Sequence, residues 1–349
     1  MEELSRMTLE DISKEIGISR TTIYKVLKNK GSVSEETRRI VNEALEKYHY
    51  VQNRNARNLA LNRHYTIGYV GFKSKSAGYF ATEVGKGLKR ALKEFGDDGL
   101  NMLISEFDVE NPEEQLSAVE EMLSQGITSF ILAYSHQDVI QKILSILKEK
   151  GCLVVLLSRD VKEHEDNYYV GVDYYRSGRL AAELLGKMLL TGGRVFIPVT
   201  EEYKTNQDIL ERLKGFLDKI KEFPEIKILP VAYGLIEEKE IYDRIADCIA
   251  EEKDLRGIFD LTYRMDIIGR ILNDLNRKDI KLIGFDLFEE IRSYVADSTI
   301  DAVIYQDLAE QAYLAAKILF DEMCYGKHRA EKKRYSKLEV IMQENIHYF

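Results

Sequence analysis

The sequence predicts an all-α helix-turn-helix head followed by an α/β body of two doubly wound parallel-sheet lobes. Roughly the first 60 residues carry helical patterning, whereas from Thr66 onward short β-branched and aromatic runs alternate with amphipathic helical segments. Such alternation is typical of βαβ units, whose parallel sheets are covered by helices on both faces. Ten or eleven strands are too many for one ordinary open sheet, which favours two lobes. A composition of 45% hydrophobic and 31% charged residues is typical of a folded globular protein.

The head begins with two short helices joined by a tight turn. The first is predicted over Leu9–Ile16, with Thr8 as its N-cap, and Gly17 ends it because the turn requires a left-handed backbone. Ser19 is predicted to cap a second helix that runs over residues 20–28. This spacing is that of a helix-turn-helix, although a plain αα-hairpin is the simpler alternative.

Two further helices complete the predicted head. A third helix starts after Ser32 or Ser34, and its apolar residues at helical spacing end with Tyr48. A short, mostly polar fourth helix is predicted over about Asn53–Leu61.

The body contains eleven strand candidates, separated mostly by helices such as Glu83–Phe95, Pro112–Gln125 and Ser177–Leu190. The strand candidates are Ile67–Phe72, Asn101–Phe107, Phe130–Tyr134, Leu153–Ser158, Tyr168–Val172, Arg194–Val199, Ile228–Tyr233, Gly257–Leu261, Lys281–Phe285, Ala302–Tyr305 and Leu338–Met342.

Charge is distributed unevenly between the two parts. Residues 1–63 contain 12 Lys and Arg against 9 Asp and Glu, whereas the whole chain carries a net charge of −9. A slightly basic head on an acidic body indicates that the head is the part that meets a polyanion.

Several head motifs, followed by an α/β body, resemble the lactose-repressor (LacI/GalR) family of bacterial transcription regulators. The motifs are the helix-turn-helix, Val-Ser-Glu-Glu-Thr-Arg at residues 33–38, and Tyr50, Asn53-Arg54, Ala56, Leu59 and Ala60. The resemblance extends over essentially the whole chain. It implies a sequence-specific DNA-binding regulator, a repressor, whose operator affinity is controlled allosterically by a small effector.

The resemblance also implies which head residues bind DNA. Arg20, Thr21 and Lys25 would read base edges in the major groove, and Leu59 would be an apolar wedge in a minor-groove step. The full set of candidates is Thr8, Ser19, Arg20, Thr21, Thr22, Tyr24, Lys25, Asn53, Arg54, Ala56 and Leu59. Tyr24 and Gln52 depart from the family pattern, which usually has Ser and Pro there.

The body resembles the type I periplasmic-binding-protein fold, of the ribose-binder type. Residues near strand ends would then hold an effector, either a sugar or a sugar phosphate. These candidates are Tyr79, Phe80, Ser158, Arg159, Arg212, Thr262, Asp286 and Gln306. Ser158 replaces the family's usual aspartate and Thr262 its usual asparagine. Because a carboxylate is lost while two arginines remain, we expect the cleft to be less negative than that of a pentose binder. A phosphorylated or acidic sugar is then a more plausible effector than it would be in such a binder.

The predicted domain limits follow from these assignments. The DNA-binding domain is expected over residues 1–52, the hinge helix and linker over 53–65, and the effector-binding and dimerisation domain over 66–349. Within the last, the first lobe is expected over about 66–159 and 304–330, and the second over about 160–303 and 331–349.

No catalytic motif is visible in the sequence. It has no GxSxG, HExxH or phosphate-loop motif, and its six histidines are not paired at metal-binding spacing. We therefore expect no enzyme activity, no cofactor and no metal. The alternatives are an α/β enzyme with a fused helical arm, which would need such a motif, and a transport solute-binder, which would need a signal peptide.

Location and partners complete the prediction. The acidic N-terminus lacks an apolar signal segment and no apolar run approaches the ~20 residues of a membrane helix, so a cytoplasmic protein without membrane contact is expected. The three cysteines form neither a disulfide framework nor a metal motif. The expected partners are double-stranded operator DNA, a small effector and a second copy of the chain in a homodimer.

Overall fold

The computed structural model of the chain describes residues 9–27, 33–48, 64–161, 166–200, 206–235 and 237–349, without the side chains of residues 74–77. The chain forms two compact units, Met1–Arg63 and His64–Phe349. Thr8 and the whole of the predicted fourth helix, including Asn53, Arg54, Ala56 and Leu59, lie outside the described residues.

The described part of the head is helical, as predicted. It contains α1 (Leu9–Ile16), α2 (Arg20–Leu27) and α3 (Glu35–Lys47). Ser34 caps α3, since its hydroxyl accepts a hydrogen bond from the Thr37 amide at 3.2 Å. Apolar side chains from the three helices meet in one small core that contains Ile12, Ile23, Val26, Val41 and Ala44.

The body alternates strands and helices along the chain. It begins with β1 (Tyr65–Phe72), α4 (Ser74–Phe95), β2 (Leu100–Phe107), α5 (Glu113–Ser124), β3 (Ser129–Leu132), α6 (Gln137–Glu149), β4 (Leu153–Ser158) and β5 (Tyr168–Gly171). It continues with α7 (Tyr174–Met188), β6 (Gly193–Phe196), α8 (Gln207–Ile220), β7 (Ile226–Ile228), α9 (Glu238–Glu251), β8 (Leu255–Phe259), α10 (Met265–Asp274) and β9 (Lys281–Phe285). It ends with α11 (Arg292–Ala296), β10 (Ala302–Tyr305), α12 (Leu308–Tyr325), β11 (Lys333–Tyr335) and β12 (Glu339–Ile341).

These strands form two six-stranded sheets, one for each lobe. The strand order is β11-β5-β4-β3-β1-β2 in the first sheet and β12-β10-β9-β8-β6-β7 in the second. Every pairing is parallel except that of β12 with β10. Each sheet has a hydrophobic core on both faces, so each lobe is doubly wound, as predicted.

The helices divide between the faces of each sheet. In the first lobe, α4 and α12 cover one face and α5 and α6 the other. In the second lobe, α7 and α8 cover one face, and α9 and α10 cover the other. Because all parallel strands of a sheet end at the same edge, polar residues after those ends are collected there.

The lobe limits differ from those expected. β5 and β11 pair in the first sheet and β10 pairs in the second, so the chain crosses between lobes after Gly171, after Tyr305 and after Tyr335. The expected limits at about 159 and 330 are therefore wrong, whereas the one at about 303 lies two residues before the observed crossing. The physical reason is backbone pairing: a buried strand must find hydrogen-bond partners, and β4 offers them to β5.

Candidate functional site

The α1–α2 turn has the geometry that its sequence predicts. Gly17 has φ of +67°, and no heavy atom lies within 4 Å of the position of a Cβ atom there. Ser19 caps α2, because its hydroxyl accepts from the Thr22 amide at 3.2 Å and lies 2.9 Å from the Thr22 hydroxyl. Glycine at Gly17 is therefore needed for its backbone conformation rather than for space.

One face of α2 is free of the head's core. Ile23 and Val26 are buried, whereas Arg20, Thr21, Tyr24 and Lys25 are exposed. The Arg20 side chain is 66% exposed and lies 3.7 Å from the Glu10 carboxylate. An exposed ion pair of this kind contributes little, so the guanidinium can leave it for another acceptor.

In the body, the candidate cleft lies where the strands of both sheets end. Four non-glycine residues have a left-handed backbone conformation there: Ser158 at φ +69°, Tyr263 at +60°, Asp286 at +65° and Asp307 at +51°. Such conformations cost about 1–3 kcal/mol each and persist where the surrounding structure fixes them, which is common at ligand-binding sites.

Arg212 is the centre of a buried hydrogen-bond network. Its side chain, on α8, is only 2% exposed. Nη1 donates to the Tyr263 hydroxyl at 2.8 Å, and Nη2 donates to Gln306 Oε1 at 2.8 Å. Gln306 Nε2 in turn donates to both carboxylate oxygens of Asp286, at 2.8 and 2.9 Å.

Aromatic rings cover this network. The Arg212 guanidinium carbon lies 3.9 Å from the Phe285 ring centroid and 4.8 Å from that of Tyr174. Among the described residues, its Nε has no hydrogen-bond partner. A buried donor without a partner is costly, so this nitrogen marks a point of strain within the network.

A second arginine joins the two lobes. Arg159 follows β4 of the first lobe, and its Nε donates to Asp208 Oδ2 of the second lobe at 2.8 Å. Its Nη1 also donates to the carbonyl oxygens of Tyr134 and Ser135, at 3.5 and 3.4 Å. Asp208 lies in the first turn of α8, one helical turn before Arg212.

The charges in this cleft balance. Burial raises the pKa of the Asp208 carboxyl, and Arg159 and Arg212 act against that rise. Burial likewise raises the pKa of Asp286, against the effects of Arg212 and Gln306. Arg159 and Arg212 thus face Asp208 and Asp286, and two positive and two negative side chains leave the inner site close to neutral.

These residues enclose an inner cavity of about 160 Å³ that opens into an outer cavity of about 1420 Å³. Seven of the eight effector candidates line the inner cavity: Tyr79, Phe80, Ser158, Arg159, Arg212, Asp286 and Gln306. The Tyr79 ring of the first lobe also faces the Phe288 ring of the second, with centroids 6.1 Å apart. The Ser158 hydroxyl lies 3.0 Å from the Tyr174 hydroxyl.

Thr262 is placed differently from the other candidates. Its hydroxyl lies 2.6 Å from Asp260 Oδ1 and its amide donates to the same oxygen at 2.8 Å, so it caps a buried carboxylate. Neither cavity has Thr262 in its described lining, and Tyr263 lines both. The structure therefore corrects the expected cleft position from Thr262 to Tyr263, because the left-handed Tyr263 turns its own side chain toward Arg212.

Sequence reasoning did not identify Asp208, Tyr174 or Tyr263. Asp208 could have been found, because it precedes Arg212 by four residues and the two must share one face of an amphipathic helix. The two tyrosines gave no comparable signal, since their position depends on contacts between distant segments.

Within the described part of the chain, no group of three or more His, Cys, Asp or Glu side chains could hold a metal ion. Among the same residues, no helix is long and apolar enough to cross a membrane.

Comparison with protein families agrees with both parts of the structure. Residues 8–53 match the model of the bacterial regulatory proteins of the lacI family, and residues 67–328 match the model of the periplasmic binding protein domain. The chain therefore carries a lacI-family DNA-binding domain followed by a body that belongs to the periplasmic binding protein domain family. The predicted family, fold class and role as a DNA-binding transcription regulator are thereby confirmed.

Named relatives are repressors rather than enzymes, which confirms the prediction of a non-enzyme. The chain is 24% identical over 343 residues to the ribose operon repressor of Lactococcus lactis, covering 97% of this chain and 98% of that protein. It is 25% identical over 306 residues to a sucrose operon repressor of Lactococcus lactis, covering 86% of this chain and 90% of the other.

Solved structures share the fold of the body. A periplasmic ribose ABC transporter protein from Conexibacter woesei superposes with a TM-score of 0.73 at 20% identity, covering 82% of this chain and 94% of that one. A structure described as a LacI transcriptional regulator from Bacteroides fragilis gives a TM-score of 0.70 at 20% identity, covering 82% and 100%.

Proposed function

We propose that this lacI-family regulator is a cytoplasmic homodimer whose operator affinity is controlled by a neutral sugar bound in the inner cavity. The observation that carries the proposal is the buried Arg212–Gln306–Asp286 network under aromatic rings. Planar bidentate groups suit the vicinal hydroxyls of a sugar, and aromatic faces suit its apolar C–H side.

The choice of a neutral sugar over a sugar phosphate rests on charge. Asp208 and Asp286 balance Arg159 and Arg212, so no net positive charge awaits an anion. A dianionic phosphate would also meet the two buried carboxylates at short range, where the low dielectric strengthens repulsion. The Ser158 substitution therefore no longer argues for an anionic ligand. An inner cavity of about 160 Å³ suits a molecule of about one ring.

For the DNA, we propose that the exposed face of α2 reads the operator. Arg20 and Lys25 suit the guanine O6 and N7 acceptors, and Thr21 suits either a hydrogen bond or a thymine methyl group. Ser19 and Thr22 would support this face, since their side chains cap the helix. Thr8 and the hinge residues Asn53, Arg54, Ala56 and Leu59 remain predictions for DNA contact from the family resemblance.

The proposed mechanism is allosteric. Two heads would bind the half-sites of a pseudo-palindromic operator. Ligand binding would change the relation of the two lobes, and this change would alter operator affinity because the two binding events are thermodynamically linked.

A ligand screen tests this proposal on the full chain. Thermal shift is measured with neutral pentoses and hexoses and with their phosphates and uronic acids, and each hit is confirmed by calorimetry. We expect stabilisation by at least one neutral sugar. Stabilisation confined to phosphates or uronates would contradict the neutral-ligand proposal, and an operator affinity that no bound sugar alters would contradict the regulatory one.

A further inference from the structure

We propose that the Arg159–Asp208 ion pair is a latch that closes the two lobes in the absence of ligand. The role of this latch in regulation rests on the proposed function. Its geometry and its test depend on the protein alone.

The two partners are held firmly by their own lobes. Arg159 Nη1 donates to two backbone carbonyls of the first lobe while its Nε reaches across the cleft. The Asp208 amide donates to Asn206 Oδ1 at 3.1 Å, which fixes the start of α8 in the second lobe. The ion pair of 2.8 Å therefore ties the first lobe directly to the second.

Because the ion pair is largely buried, each of its two charges depends on the other. The Arg159 and Asp208 side chains are 25% and 11% exposed, and burial penalises each charge unless the other is present. Burial alone would lower the pKa of Arg159, but the Asp208 carboxylate holds it above its ordinary value. The other charged groups that face the pair are Arg212 and, through Gln306, Asp286. Removal of either latch partner leaves the other with less electrostatic compensation for its burial, and opening of the cleft relieves that cost by returning the charge to water.

The position of the carboxylate decides what it stabilises. A carboxylate at position 158 would lie beside Arg159 in the same lobe, where it could pair with the arginine whether the cleft is open or closed. Here the Ser158 hydroxyl lies within hydrogen-bond distance of the Tyr174 hydroxyl. The carboxylate that pairs with Arg159 belongs instead to Asp208, on the opposite lobe. With the carboxylate at Asp208 rather than at position 158, the ion pair of Arg159 connects the two lobes instead of lying within one.

The test measures the distance between lobes in the ligand-free full chain. Nitroxide labels are placed at Ser145→Cys on α6 of the first lobe and at Asp274→Cys on α10 of the second, both of which are exposed positions. The native cysteines are replaced so that only these two sites are labelled. Labelled protein is diluted with unlabelled protein so that distances between protomers do not contribute. Pulsed electron resonance then gives the distance distribution between labels of one protomer.

Asp208→Asn and Arg159→Gln are each expected to add a longer distance or to shift the main one outward. The transposed variant Ser158→Asp/Asp208→Ser keeps the net charge and is expected to open as well, because its carboxylate no longer spans the cleft. The matched control is Asp160→Asn, which removes an aspartate that pairs with Lys333 at 2.6 Å inside the first lobe, and its distances should equal those of the parent.

Parent-like distances in folded Asp208→Asn and in the transposed variant would overturn the latch. Circular dichroism melting establishes folding, and Arg159→Gln serves if Asp208→Asn does not fold. The distance measurement uses no ligand, so its outcome is independent of the ligand screen. If the variants open but no sugar binds the parent, the latch is supported and the sugar effector is rejected. If a sugar binds the parent but the variants do not open, the sugar effector is supported and the latch is rejected.

Discussion

Gly178 packs directly against the backbone of Arg212: a Cβ atom at Gly178 would lie 1.9 Å from the Arg212 carbonyl oxygen. The contact is reciprocal, because a Cβ atom at Gly215 on α8 would lie 1.9 Å from the Tyr175 carbonyl oxygen on α7. The two glycines thus fix the close approach of α7 and α8, and α8 carries both Asp208 and Arg212.

Gly178→Ala should therefore weaken both the fold and the site. The added methyl group must push α7 and α8 apart, at a cost of about 1–3 kcal/mol in the free energy of unfolding, and it should lower ligand affinity by displacing Arg212. Denaturant unfolding and calorimetry measure the two effects. Gly85→Ala is the control, because no heavy atom lies within 4 Å of its Cβ position on α4, and it should be neutral or stabilising. Equal unfolding free energies for the two variants would contradict the packing argument.

Arg20→Ala should relax base preference at one operator position by about 1–3 kcal/mol, since a bidentate contact to a base edge would be lost. Binding-site selection followed by sequencing reports the preference. The control is Arg39→Ala on α3, an exposed arginine paired with Glu43, which should return the parent motif. An unchanged motif with Arg20→Ala would reject its role in reading bases.

Gln306→Ala should lower ligand affinity at least about tenfold, because Arg212 Nη2 and the Asp286 carboxylate both lose a buried partner. Calorimetry with a ligand from the screen measures this, and operator binding without ligand should change little. Gln343→Ala on the surface should behave as the parent does. Parent affinity in Gln306→Ala would place the ligand elsewhere.

Paired charge removals distinguish the ligand classes. For a neutral sugar, Asp286→Asn should reduce affinity at least as much as Arg159→Gln, because a carboxylate accepts two hydroxyl hydrogen bonds at no electrostatic cost. For an anionic ligand, the loss of Arg159 should be far more damaging. Calorimetric affinities of the two variants for the same ligand decide the order.

Asp260→Asn should stabilise the protein near neutral pH. Asp260 is 2% exposed, and burial raises its pKa to about 6. The folded protein therefore binds a proton more tightly than the unfolded chain, so stability falls as the pH rises from about 4 to about 6, and the penalty is complete above that. The variant should gain up to about 3 kcal/mol at pH 7.5 and less at pH 5, as measured by unfolding at both values. The matched control is Asp254→Asn, which removes a carboxylate from an exposed site beside Arg256 and should change the free energy of unfolding by less than about 1 kcal/mol.

The sequence was informative where periodicity decides the structure. The helix over Leu9–Ile16 has the predicted bounds, and each of the eleven predicted strands overlaps an observed strand. The predicted strand over Ile228–Tyr233 is displaced, since β7 covers Ile226–Ile228. Most of the expected cleft residues share one cavity because parallel strands end at a common edge.

Contacts between distant segments were beyond this reasoning. β11 was missed, because Lys333–Tyr335 is polar and short, and its pairing with β5 is fixed only by the tertiary fold. The charge partner of Arg159 could not be identified for the same reason, because Arg159 and Asp208 are far apart along the chain and meet only in the tertiary fold.

The three crossings between lobes have a consequence for synthesis on the ribosome. The first sheet receives its edge strand β11 and its covering helix α12 from the last part of the chain, after most of the second lobe has been made, and the second sheet receives β12 later still. Until then, the apolar face of β1, β3 and β4 lacks half of its cover. Neither lobe can fold to completion as the chain emerges, so the nascent protein exposes an apolar sheet face late in translation, a surface of the kind that favours aggregation until folding is complete.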